Sequence, residues 1–121
     1  MERKTFVMNE LKFEVKGNEY TIKVPTPGDM IDVERMKMML SSGYYNEMMR
    51  TSTISAQESL MVIDIQSHFS VQCPQLMTDL KCEDVRKLAA EDYRVLKTAY
   101  VKSFLPWWNG WLKLFRGEDE K

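Results

Sequence analysis

Residues 11–24 read Leu11-Lys12-Phe13-Glu14-Val15-Lys16-Gly17-Asn18-Glu19-Tyr20-Thr21-Ile22-Lys23-Val24, and they decide whether the chain is all-helical or mixed. Leu11, Phe13 and Val15 alternate with charged residues, as do Tyr20, Ile22 and Val24 with Thr21 and Lys23. A period of two sends alternate side chains to opposite faces, which is the pattern of a half-buried strand. Between the runs, Gly17-Asn18 suits a two-residue type II′ turn with glycine first. That loop pairs Lys16 with Glu19, Val15 with Tyr20, Phe13 with Ile22 and Leu11 with Val24, so three apolar pairs share one face. Two strands alone bury too little to stand in water, so the rest of the chain has to cover that face.

Downstream, the apolar period lengthens. Pro25-Thr26-Pro27-Gly28 breaks the strand and starts a helix, with Thr26 as N-cap, Pro27 in the first turn and Asp29 near the free amides. Met30, Val33, Met36 and Leu40 then recur at helical steps, and Gly43 is placed to end the helix in a left-handed cap. Residues 44–50 add a short further turn. Ser55-Ala56-Gln57-Glu58 fits a capping box opening a central helix, which Pro74 stops after Cys73. Within it Leu60, Ile63 and Phe69 are expected to be buried. A short helical segment over 75–80 follows. Val85, Ala89, Tyr93, Leu96, Tyr100 and Phe104 predict one long helix face that begins near Glu83 and Asp84.

Leu105-Pro106-Trp107-Trp108-Asn109-Gly110-Trp111 closes the chain and holds all three tryptophans. Pro106 is expected to end or kink the preceding helix, and a last short helix to run over 107–115. Trp107, Trp111 and Leu114 share one face of it, and Trp108, Leu112 and Phe115 another. One face is expected to pack on the 93–104 helix and the hairpin. The other is expected to stay partly exposed as an aromatic anchor for a partner.

These elements predict one α+β, mainly helical domain over 1–121: a hairpin at 10–24, a compact bundle of four to six helices at 27–115, and frayed ends at 1–8 and 116–121. A formal charge of −1, with 29% charged residues, supplies no basic excess for phosphates, so nucleic acid is not an expected partner. No signal peptide and no bilayer-length apolar run is read in the chain, so no membrane partner is expected. Two cysteines make no disulfide framework, and a cytoplasmic setting is the simplest reading.

Catalytic and metal signatures are sparse. Asp64 and His68, the one histidine, lie one helical turn apart and are the only candidate acid–base pair. No nucleophile motif accompanies them, so they are expected to form a polar seam, and a small hydrolase is the least favoured function. Cys73 and Cys82 with one histidine make no zinc set, and no glycine-rich phosphate loop is present, so no metal or cofactor is expected. The candidate partner-binding residues are instead Met36, Met39, Met48 and Met49, in a stretch that also holds Met38, together with Trp107, Trp108 and Trp111. Methionine re-packs against irregular shapes, which suits a groove for an apolar peptide.

The order of parts is a hairpin closing on Val24-Pro25-Thr26-Pro27-Gly28, a helix closing on Leu40-Ser41-Ser42-Gly43-Tyr44-Tyr45, a middle helical pair, and a final Tyr100-Val101-Lys102-Ser103-Phe104-Leu105-Pro106-Trp107. In that layout the chain resembles the small tail assembly proteins of long-tailed bacteriophages, above all the tail assembly chaperones. The resemblance implies a non-enzymatic protein that binds tape-measure protein or tail subunits in the host cytoplasm. Many such chaperones look all-helical, whereas this chain opens with a hairpin. The alternative is therefore a small structural component of the virion that oligomerises, for which the free hairpin edges offer a route.

Overall fold

A computed structural model describes residues 9–117. Strands β1 (Leu11–Val15) and β2 (Asn18–Ile22) form an antiparallel hairpin, followed by helices α1 (Pro27–Leu40), α2 (Tyr45–Met49), α3 (Ile54–Gln72) and α4 (Pro74–Asp79). A 3-10 turn (Val85–Lys87) leads into α5 (Ala90–Ala99), which a π turn (Tyr100–Phe104) joins to α6 (Leu105–Arg116). Counting the continuous rod 90–116 as one, five helices follow the hairpin among the described residues. The mainly helical α+β architecture is the one expected. Of the expected frayed ends 1–8 and 116–121, residues 1–8 and 118–121 lie outside the described residues, whereas Arg116 is the last residue of α6 and Gly117 its cap.

The hairpin forms with a different turn. Val15 pairs with Asn18, Phe13 with Tyr20 and Leu11 with Ile22, so the loop is Lys16-Gly17. Both loop residues have positive φ, 53° and 84°, which is the type I′ geometry with glycine second. Moving the loop by one residue shifts every pair by two, which leaves the inward face unchanged. Phe13, Val15, Tyr20 and Ile22 are accordingly all buried. The expected Lys16–Glu19 closure is lost, and Lys16 Nζ instead reaches Asp92 Oδ1 of α5 at 2.8 Å. Val24 lies past the end of β2 and is 46% exposed, so it is not part of the sheet's apolar face.

Helix α1 starts as expected: Thr26 and Asp29 form a capping box, with Pro27 in the first turn. Its end differs by one residue. Ser42, at φ 54°, takes the left-handed cap position, and Gly43, the residue expected there, follows at φ 84° with its amide returning to the Met38 carbonyl at 2.8 Å. Thr53, not Ser55, caps α3 by accepting from the Ala56 amide at 3.1 Å. Glu58 is therefore released from a capping role and binds Tyr93 and Lys97. Lys81 closes α4 in the same left-handed manner as Ser42 closes α1.

The long helix expected from Val85 to Phe104 is split. Leu88 and Ala89 are extended, so α5 begins only at Ala90 and Ala89 is exposed. Pro106, by contrast, does not end the rod. Proline supplies no N–H and its ring needs room behind it; the preceding π turn, whose wider spacing is seen in the Leu105 amide bonding to Tyr100, absorbs that demand. Gly117, at φ 72°, ends α6.

The core is a sandwich of the hairpin's inner face, one face of α3, α4 and the rod. Phe13 stacks on Phe69 at 5.9 Å, and Phe69 meets Tyr100 and Phe104 edge-on at 5.8 and 5.6 Å. Of the three residues expected to be buried in α3, Phe69 is; Leu60 and Ile63 are only half-buried, because their faces of the helix point elsewhere.

Candidate functional site: a methionine-lined groove on helix α3

At 100° per residue, α3 presents three stripes. Ile65, His68 and Phe69 point into the aromatic core. Asp64 turns toward α1 and α2, where it accepts from the Tyr45 hydroxyl at 2.6 Å and has the Lys37 ammonium at 3.8 Å. Ser59, Val62, Ile63, Gln66 and Ser70 form the third stripe, and it is the floor of an open groove of about 730 Å³. The last turns of α1 supply Met36, Met39 and Leu40, its C-terminal cap supplies Ser41 and Ser42, and α2 supplies Met48. The rest of the lining is Glu58 of α3 and, from the segment at the 3-10 turn, Glu83, Asp84 and Arg86.

Each side is held by a specific link to α3. Burial pushes the Asp64 carboxyl upward, while the Tyr45 hydroxyl and Lys37 pull it back, so α2 is tied to α3 through a largely buried carboxylate. The Val85 amide donates to Gln66 Oε1 at 2.7 Å and fixes the 3-10 turn against the floor. Arg86 grips Asp84, Nη2 to Oδ2 at 2.8 Å, which holds that carboxyl below its usual range.

Three of the four candidate methionines thus come together: Met36, Met39 and Met48 line the groove. Met49 is not part of the lining and is 61% exposed. Leu40, read as part of the apolar stripe of α1, is exposed and joins the groove lining. Val62, Ile63, Gln66 and the acidic residues at 83 and 84 were not anticipated as site residues. The spacing 59, 62, 63, 66, 70 is helical and was available, but its mixed serine, glutamine and aliphatic content hid the stripe.

None of the tryptophans belongs to this groove. Trp108 is 5% exposed and packs on His68 at 4.8 Å and on Phe104 at 5.7 Å, so it is core rather than an exposed anchor. Because the rod is continuous, Trp108 meets Phe104 as a neighbour one turn back, not across a fold-over. Trp107 is half-buried and its indole donates to the Asn9 carbonyl at 2.6 Å. Trp111 is half-buried, with its Nε1 enclosed and without an acceptor among the described residues. Leu114 and Phe115, at the end of both expected faces, are exposed.

Asp64 and His68 do not act on each other. The His68 Nδ1 pairs with Gln72 Oε1 at 2.9 Å, and the ring sits among Tyr100, Phe104 and Trp108. Burial drives its pKa down to about 3, so the imidazole is neutral. Cys73 and Cys82 are buried free thiols whose pKa values burial raises, which makes them poor nucleophiles. Among the described residues no three metal-ligating side chains cluster, and no helix is long and apolar enough to cross a membrane. Comparison with known proteins finds no matching family model, no matching curated protein and no matching solved structure.

Proposed function

We propose that this chain is a non-enzymatic protein-binding module that holds an apolar segment of another protein in the α1–α2–α3 groove. The observation that carries this reading is the convergence of Met36, Met39 and Met48 from two helices on one open floor. Flexible thioether side chains adapt to varied apolar surfaces, as recognition grooves require. The separate environments of Asp64 and His68 favour binding over catalysis, since neither activates the other. In its layout the chain resembles phage tail assembly chaperones, and on that resemblance the segment belongs to a tape-measure protein or a tail subunit.

A photo-crosslinking residue at Met39, used in cells that produce the complete particle, tests this. The expected product joins position 39 to a tape-measure or tail protein, while the same residue at exposed Ile54 gives none. A second reading, a permanent virion subunit, draws on the exposed Leu114 and Phe115 at the end of α6. Mass spectrometry of purified particles separates the two: a chaperone is absent, and a subunit is present in stoichiometric amount.

A further inference from the structure

Resting on the reading of the groove as a protein-binding site, we infer that its occupant is an amphipathic helix whose polar flank is cationic. Two observations specify this partner, its backbone conformation and its charge.

The conformation follows from what lines the groove. Its residues come from α1 with its C-terminal cap, α2, α3 and the segment around the 3-10 turn, and no strand contributes. An extended peptide laid there would find no sheet edge for its amides and carbonyls, whereas a helix satisfies its own backbone. The floor stripe from Ser59 to Ser70 runs roughly 16 Å along α3, which matches about three helical turns. Apolar residues at i, i+3, i+4 and i+7 of such a helix would meet Met36, Met39, Leu40, Met48, Val62 and Ile63.

The charge follows from the rest of the lining. Three carboxylates, Glu58, Glu83 and Asp84, face the groove against the single guanidinium of Arg86. Arg86 is engaged with Asp84, and Glu58 with Lys97 at 3.3 Å. Glu83 is exposed and forms no ion pair among the described residues. A helix that rests its apolar stripe on the methionines turns its flank to Glu83 and Asp84. Lysine or arginine there is attracted, and aspartate or glutamate is repelled.

The experiment uses two synthetic peptides of about 14 residues, long enough for the three turns. They share one Leu/Phe stripe at helical spacing and carry either lysines or glutamates on the flank. Binding to the full chain is read by fluorescence anisotropy at low and at high salt. The lysine peptide is expected to bind at least about tenfold more tightly at low salt, with the gap narrowing as salt rises. Glu83→Lys is expected to weaken the lysine peptide by about three- to fivefold, in line with an exposed charge pair. Met39→Lys, at a solvent-facing position that folding tolerates, is expected to abolish binding of both. Equal affinity for the two peptides, both lost in Met39→Lys, overturns the cationic partner and leaves the groove reading standing. Binding of neither peptide, or binding indifferent to Met39→Lys, overturns both.

Discussion

Two faces of one helix, α3, are built from opposite materials. On one, Phe69 and His68 are enclosed by Phe13, Tyr100, Phe104 and Trp108, with ring centroids between 4.8 and 6.0 Å. On the other, Val62 and Ile63 look into an open groove of about 730 Å³ edged by methionines. Rigid rings with few rotamers fill space in one way and specify one packing. Unbranched thioethers fill space in many ways and specify none. The contrast teaches that this chain keeps its close-packed core and its open, methionine-edged surface on separate sides of the same element. A change on one side should therefore be readable without disturbing the other.

The largest expected effect breaks the aromatic side. Phe104 is fully buried and touches His68, Phe69, Tyr100, Trp107 and Trp108. Phe104→Ala should cost about 3–5 kcal/mol, read as a fall in urea midpoint, by lost burial plus the cavity left behind. Acid should attack the same side. The folded His68 has a pKa near 3 against 6.5 for a free imidazole, so the unfolded chain binds the extra proton between these values. Stability is then fully present above 6.5 and falls with pH through that window, by up to about 1.4 kcal/mol per unit. Asp64, whose carboxyl burial raises, works in the opposite sense and offsets part of the slope. His68→Gln should flatten the dependence measured by denaturation at pH 4 through 7.

A smaller effect tests the tie between the two sides. Tyr45→Phe removes the donor to Asp64, leaving a largely buried carboxylate short of one partner. A loss of about 1–3 kcal/mol is expected, and hydrogen exchange should rise in α2 before it rises in the rod. The smallest change in stability belongs to the groove. Met39→Ala should alter the urea midpoint by no more than about 0.5 kcal/mol, since Met39 is 67% exposed, yet it should weaken peptide binding. If instead Met39→Ala destabilises as much as a core change, the separation of the two faces is wrong.

Local chemistry was legible wherever a residue acts through its own backbone or its nearest turn. Thr26, Pro27 and Asp29 start α1 because short-range capping leaves few alternatives, and Pro74 stops α3 because it can donate no amide. The alternation over 11–22 set which hairpin face turns inward, and that survived a wrong turn assignment because register shifts by two preserve parity. The crowding of methionines at the end of α1 and in α2 was visible in the sequence, and the structure brings Met36, Met39 and Met48 together along one groove.

What required the tertiary structure is everything set by distant neighbours. Pro106 passes through a continuous rod because a π turn behind it makes room, a compensation invisible to local rules. Trp108 is core because His68 of α3 packs on it, while Trp107 stays half-buried with its indole on the Asn9 carbonyl and Trp111 packs edge-on against Trp107. Asp64 and His68 are one turn apart in sequence but answer to different helices, so proximity along α3 said nothing about partnership. The groove itself is assembled from the end of α1, α2, one stripe of α3 and the segment before α5. Sequence alone determined which residues favour apolar or polar surroundings and what local backbone they adopt. Only packing decided which of them meet, because burial and contact are properties of several elements brought together and of none taken singly.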